Sequence, residues 1–166
     1  MSAADHHANQ ACSVTCAVVT VSDTRTRETD KGGSLIVDRL TTSGHQVVGY
    51  EIVPDDPVII RQHIENLCAK GCDAIILTGG TGIAQRDTTY EAILPLIEKK
   101  LDGFAELFRM LSFEEIGPLA MLSRAVAGTR GKTLIFSLPG SPNAVQLAMD
   151  RLILPVLPHA VGLLRT

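Results

Sequence analysis

Residues 77–89, LTGGTGIAQRDTT, place glycine at 79, 80 and 82 behind an apolar run and follow them with Arg86, Asp87 and two threonines. Gly79, Gly80 and Gly82 remove the side chains that would hold a ligand away from the backbone, and successive exposed N–H groups make an anion cradle. Thr78 and Thr81 add hydroxyls suited to phosphate oxygens. The loop matches neither common phosphate-binding pattern. In the dinucleotide pattern the third glycine would fall where Gln85 stands, and the Walker pattern needs lysine where Ile83 follows Gly82. A tight turn built on positive-φ glycines is the bland alternative, and the interleaved threonines favour the cradle.

Two carboxylates flank this loop. Thr88 and Glu91 have capping-box spacing, which leaves Asp87 free of helix-capping duty. Asp56 ahead of Pro57 is a typical helix opening, which leaves Asp55 free beside it. Two free carboxylates next to a phosphate cradle suit Mg²⁺, which takes hard oxygen ligands and phosphate oxygens, although exposed aspartates are common. Further polar pairs stand at Ser22-Asp23 and Ser123-Arg124. The run SLPGSPN, with Ser137, Pro139, Gly140 and Ser141, repeats the combination of glycine, hydroxyl and helix start. Ser141 as a plain helix cap is the competing reading there. No Ser-His-Asp arrangement is visible.

The elements that must position these groups alternate. The β-branched run at 16–21 reads as a strand covered on both faces, and 22–33 reads as a polar loop. Ile36, Val37 and Leu40 lie on one helical face that Gly44 stops. A strand over 47–53 follows, then a helix opened by Asp56 with Ile60, Ile64, Leu67 and Cys68 in register, then a strand over 74–77. A helix from Thr88 toward Lys99, strained by Pro95, precedes an amphipathic helix carrying Phe104, Leu107, Phe108 and Leu111. GTRGK marks a turn between strands, 134–138 is a strand, and Pro155 and Pro158 are expected to break the last helix. This order predicts an α/β fold with a mostly parallel sheet between helical layers. In such a sheet ligands bind beyond the carboxyl ends of the strands, where Ser22-Asp23, Asp55-Asp56, the glycine loop with Asp87 and residues 137–143 fall, whereas Ser123-Arg124 precedes a strand.

The bulk properties fit one domain. A chain of 166 residues is long enough for a substantial core, and residues 1–13 read as a flexible tail ahead of a domain over 14–166. A net charge of −3 and the lack of tryptophan argue against a nucleic-acid surface. No apolar run approaches a membrane span and the N-terminus has no signal-peptide order, so a cytoplasmic protein is expected. Cys12/Cys16 and Cys68/Cys72 form two C-x3-C pairs that, with His6, His7, His45, His63 or His159, invite a metal reading; reduced, mostly structural thiols are the expected outcome, with Cys12 in the tail.

Read together, VTVSD, VPDD, LTGGTG with RDTT, GFAELFRMLSFEEIG, LSRAVAG and LPGSPNA resemble the MoaB/MogA family of molybdenum cofactor biosynthesis proteins, and the GFAELFRMLSFEEIG and KTLIF wording resembles its MoaB branch. The resemblance spans about residues 17–157. It implies a three-layer α/β/α sandwich that binds molybdopterin and adenylylates its terminal phosphate with ATP and Mg²⁺, releasing pyrophosphate. It places Asp55 and Asp87 as Mg²⁺ or nucleotide-phosphate organisers and catalytic residues, residues 78–82 on phosphates, and 137–141 on the pterin or its phosphate. Ser22, Asp23, Ser123 and Arg124 are further substrate-binding candidates. A homo-oligomer, trimer or hexamer, is implied as well. The alternatives are a molybdopterin-binding or assembly protein without turnover, and an unrelated α/β nucleotide binder.

Overall fold

A computed structural model describes residues 13–166, so the predicted tail lies outside the described residues apart from Ser13, whose hydroxyl donates to the Gly44 carbonyl at 3.1 Å. Six strands form one sheet in the order β2-β1-β3-β6-β5-β4, with β1 Thr15–Val21, β2 Gln46–Val53, β3 Ala74–Thr78, β4 Lys99–Lys100, β5 Val126–Arg130 and β6 Thr133–Leu138. β2, β1, β3 and β6 run parallel, and β5 and β4 are antiparallel additions at one edge. β5 and β6 are joined by the predicted GTRGK turn, in which Gly131 takes φ +55°.

The continuous apolar runs of β1, β3 and β6 are explained by cover on both faces. On one face Val18, Ile76 and Phe136 pack against Ile36 and Leu40 of α1 (Lys31–Thr42), Phe104 and Phe108 of α4 (Asp102–Ile116), and the C-terminal helix. On the other face Val19, Ile75, Leu77 and Ile135 meet Ile60 and Ile64 of α2 (Pro57–Ala69) and Ala92 and Ile93 of α3 (Thr89–Ile93). The result is the predicted single-domain α/β sandwich of three layers.

Three expectations about helices need correction. The polar segment after β1 does not extend to Gly33, because α1 begins at Lys31, capped by Asp30, whose Oδ1 accepts from the Gly33 N–H at 3.0 Å. The spacing of Thr88 and Glu91 does not make a capping box. Thr88 makes no side-chain cap bond, α3 ends at Ile93 in a 3-10 turn Leu94–Leu96, and Lys99–Lys100 is a strand rather than a helix end. The prolines at 155 and 158 do not end the last helix. α5 (Pro142–Ala148) passes through a π-turn, Met149–Ile153, into α6 (Leu154–Arg165), and the wider turn sits just where Pro155 would otherwise strike the carbonyl four residues back. The continuous helix Pro142–Arg165 is therefore long and apolar enough to cross a membrane by length and composition, contrary to the reading of broken apolar runs. Its Val145, Leu147, Ala148, Met149, Ile153, Leu157 and Val161 are instead buried in the core of this fold.

Candidate functional site

Strand register brings the polar clusters to one rim. Val21 lies opposite Val53, Thr20 opposite Thr78, and Thr78 opposite Leu138, so the segments that follow β1, β2, β3 and β6 leave the sheet side by side. Because β5 is antiparallel, with Val126 opposite Ser137, its entry Ser123-Arg124 arrives at the same rim. A cleft of about 530 Å³ opens there, lined by Ser22, Asp23, Asp55, residues 78–82, Asp87, Ser123 and residues 139–141 among others.

The glycine loop is shaped by positive φ and close approach. Gly79 has φ +100° and a side chain there would strike the Val21 carbonyl; Gly80 has φ +66° and a side chain would strike the Thr89 hydroxyl. A Cβ on Gly80 would lie 2.9 Å from Asp55 Oδ2, and one on Gly82 would lie 2.7 Å from Asp87 Oδ2. The glycines are thus what lets the two carboxylates close over the loop. Two bonds brace the loop from behind: Gly79 N–H donates to Leu138 O at 3.0 Å, and the Thr89 hydroxyl donates to Gly79 O at 3.0 Å.

Both carboxylates are employed on one oxygen, which corrects the expectation that they are free. Asp55 Oδ1 accepts from the Thr88 N–H at 3.1 Å and the Thr88 hydroxyl at 2.6 Å. Asp87 Oδ2 accepts from the Ala84 N–H at 3.0 Å. The Asp55 N–H donates to Asp23 Oδ1 at 2.9 Å, so Asp23 holds the Asp55 backbone. Asp55 Oδ2 and Asp87 Oδ1 accept no hydrogen bond among the described residues.

Other predicted residues divide between the cleft wall and its supports. Thr78 lines the cleft, but its hydroxyl donates to Pro139 O at 2.9 Å and ties the two glycine loops together. Ser141 lines the cleft and also caps α5, accepting from Ala144 N–H at 3.2 Å. Ser22 accepts from Thr24 and Arg25 N–H groups at 3.2 and 3.0 Å. Ser137 and Arg124 are not brought to the wall. Ser137 is buried within β6. Arg124 clamps the glycine loop from outside, donating to Gly82 O at 3.0 Å and Asp87 O at 2.9 Å while pairing with Glu91 and stacking over Tyr90. Its side-chain hydrogen bond holds the Glu91 carboxyl below the usual range.

Sequence reasoning missed the apolar wall made by Phe108, Ile116, Leu119 and Ala120, and it missed Arg25. The spacing of Phe108 predicted a core residue, which it also is. Ile116, Leu119 and Ala120 stand around a helix end marked only by Gly117-Pro118. Cys16 and Cys72 are buried and Cys68 is half-buried, all three unpaired, while Cys12 lies outside the described residues; burial raises Cys16 to about 12 and Cys72 to about 11. Among the described residues no group of three or more His, Cys, Asp or Glu is arranged to hold a metal.

Comparison with known proteins identifies the family of the chain. Residues 17–159 match the family model of the "probable molybdopterin binding domain". The chain is 54% identical over 151 residues to molybdenum cofactor biosynthesis protein B of Staphylococcus carnosus, covering 89% of each chain. It is 49% identical over 167 residues to the protein of that name from Bacillus subtilis, covering 99% of this chain and 98% of that one. A crystal structure of a molybdenum cofactor biosynthesis protein B superposes with a TM-score of 0.90 at 50% identity, covering 92% of this chain and 96% of that one. The chain belongs to the MoaB/MogA molybdopterin-binding family, on its MoaB side.

Proposed function

We propose that this protein acts in molybdenum cofactor biosynthesis by binding molybdopterin in the cleft and adenylylating its terminal phosphate with Mg-ATP. A terminal phosphate oxygen of molybdopterin forms a bond to the α-phosphorus of ATP, the bond from that phosphorus to the α,β-bridging oxygen breaks, and that oxygen leaves with the β- and γ-phosphates as pyrophosphate. The nucleophile is already an anion, so the protein's task is positioning and charge stabilisation rather than covalent catalysis.

The observation that carries this reading is the state of the two aspartates. Each has one oxygen fixed by a loop donor and a second oxygen with no donor among the described residues, and both line one cleft with the glycine loop. Among the described residues no histidine or cysteine lines that cleft, and a pair of carboxylates beside phosphate-holding amides fits Mg²⁺, which completes its shell with water and substrate phosphates. Held by Asp55 and Asp87, Mg²⁺ would offset the charge of the nucleotide phosphates. Thr88 aims Asp55, Asp23 fixes its backbone, and Arg124 keeps the loop in shape. The apolar wall of Phe108, Ile116 and Leu119 suits the flat ring of a substrate.

The reading includes a homo-oligomer, trimer or hexamer, acting in the cytoplasm. Its support is the apolar surface of α4 and the 3-10 turn Gly117–Leu122, where Phe113, Leu119 and Met121 are 59, 66 and 75% exposed. Titration of Mg-ATP and of molybdopterin into wild type, Asp55→Asn and Asp87→Asn tests the assignment. Wild type should bind both, and each variant should lose about tenfold or more in Mg²⁺-dependent nucleotide affinity while keeping molybdopterin. Equal, Mg²⁺-independent nucleotide binding in all three would overturn it.

A further inference from the structure

The two carboxylates and a guanidinium outside their reach stand at different ends of the cleft, with Arg86 beside the carboxylates. Asp55 stands over Gly80 and Asp87 over Gly82, whereas a Cβ on Gly140 would lie 3.5 Å from Gly79 Cα and 4.0 Å from Arg25 Nη2. Following the loop from Gly82 back to Gly79 thus leads from the carboxylates to a guanidinium. We propose that Arg25 binds the terminal phosphate of molybdopterin and that buried Asp30 is its positioning residue; this rests on the function proposed above.

Arg25 is held in place without being used up. Its backbone N–H is tied to Ser22 Oγ, and its Nη1 lies 3.8 Å from Asp30 Oδ1. The Asp30 side chain has no exposure and is fully engaged by other donors. Oδ2 accepts from the hydroxyls of Thr20 and Tyr50, each at 2.5 Å, and Oδ1 accepts from Gly33 N–H at 3.0 Å. A carboxylate pinned at three points cannot swing toward the arginine. It therefore orients the guanidinium from a distance and leaves the fork of N–H donors without a hydrogen bond among the described residues.

The neighbouring arginines behave differently. Arg27 donates to Tyr50 O and stacks on its ring, and Arg124 is consumed by the loop. Arg86 lines the cleft beside Asp87, at the acidic end. A second phosphate cannot share that end with the nucleotide and two carboxylates without strong repulsion. A planar guanidinium at the other end matches a phosphate monoester in bidentate fashion. Arg25 then holds the acceptor phosphate next to the donor triphosphate, away from the two carboxylates, and sets the direction from which the acceptor approaches.

Anaerobic calorimetry on full-length wild type, Arg25→Gln, Arg25→Lys and Asp30→Asn tests this, with molybdopterin, its dephosphorylated pterin and Mg-ATP as titrants. Arg25→Gln should weaken molybdopterin by about tenfold or more, the range for a hydrogen bond to a charged group, while leaving Mg-ATP and the dephosphorylated pterin within about twofold. Arg25→Lys should recover part of the loss, since it keeps charge but not the fork. Asp30→Asn keeps the acceptor that caps α1, so it should fold and show a smaller loss confined to molybdopterin. Unchanged molybdopterin affinity in Arg25→Gln, or an equal loss with the dephosphorylated pterin, would overturn the role of Arg25. Failure of wild type to bind molybdopterin at all would instead overturn the function proposed above, and this inference with it.

Discussion

Thr88 gives both its backbone N–H and its hydroxyl to a single oxygen of Asp55, at 3.1 and 2.6 Å. One residue thereby sets the direction of a carboxylate from a different strand end and leaves the other oxygen for the cleft. If Asp55 holds Mg²⁺ as proposed, a residue that orients it in this way should matter about ten- to hundredfold. Thr88→Val should lower pyrophosphate release by about tenfold, and Thr88→Ser should restore most of it. Steady-state rates with a matched melting curve decide the point, and a Thr88→Val rate equal to wild type would refute it.

Arg124 acts on the same loop from outside through the carbonyls of Gly82 and Asp87. Lysine cannot reproduce that fork. Arg124→Lys should therefore speed amide hydrogen exchange over residues 82–88 and weaken Mg-ATP several-fold, with little change in the sheet. Exchange mass spectrometry checks this, and unaltered protection of the loop would contradict it.

Glycine positions separate strain from tolerance. A side chain at Gly79 meets the Val21 carbonyl at φ +100°, whereas one at Gly103, within α4, meets nothing within 4 Å. Gly79→Ala should cost about 2 kcal/mol or more. Gly103→Ala should be neutral or stabilise by up to about 1 kcal/mol. Denaturant unfolding compares the two, and similar midpoints would be the wrong result.

His45 offers a pH test. It is buried, its Nδ1 accepts from Val14 N–H at 3.3 Å, and burial lowers its pKa from 6.5. The unfolded chain then binds the proton more readily than the folded one, so stability is full above about pH 6.5 and falls as pH drops from there toward the folded pKa. His63, lowered chiefly by burial, adds to the same slope. His45→Asn should flatten the fall in melting temperature between about pH 7 and 5, and an unchanged slope would exclude His45 as a source.

Much of this was legible in the sequence. Continuous β-branched runs announced strands covered on both faces, and four polar clusters each followed a strand end, so the rim could be inferred without coordinates, except for Ser123-Arg124, which reaches it by entering antiparallel β5. Asp56-Pro57 opened a helix as expected, with Asp56 accepting from Val58 and Ile59 N–H groups. What was not legible was competition for partners. Thr88 and Glu91 have the spacing of a local cap, yet Asp55 and Arg124, each more than 30 residues away, take them. Pro155 read as a breaker because the π-turn that accommodates it has no sequence mark, and Pro158 lies inside α6 all the same. Arg25 went unseen because the aspartate that orients it is buried behind the loop and looks, in sequence, like one more polar residue.

The surface of α4 and the turn after it bears on assembly. If this face is covered by a second copy, Phe113→Glu should shift the protein to monomer while sparing the fold. Analytical ultracentrifugation reads this directly, and an unshifted distribution would place the contact elsewhere.

Turnover at the two aspartates is read most directly from pyrophosphate release from Mg-ATP by the purified protein with and without molybdopterin, beside Asp87→Ala. Release that requires molybdopterin and falls by about a hundredfold or more in the variant is the predicted result. Tight molybdopterin binding with no release from wild type would contradict it and leave a protein that holds the pterin without acting on it.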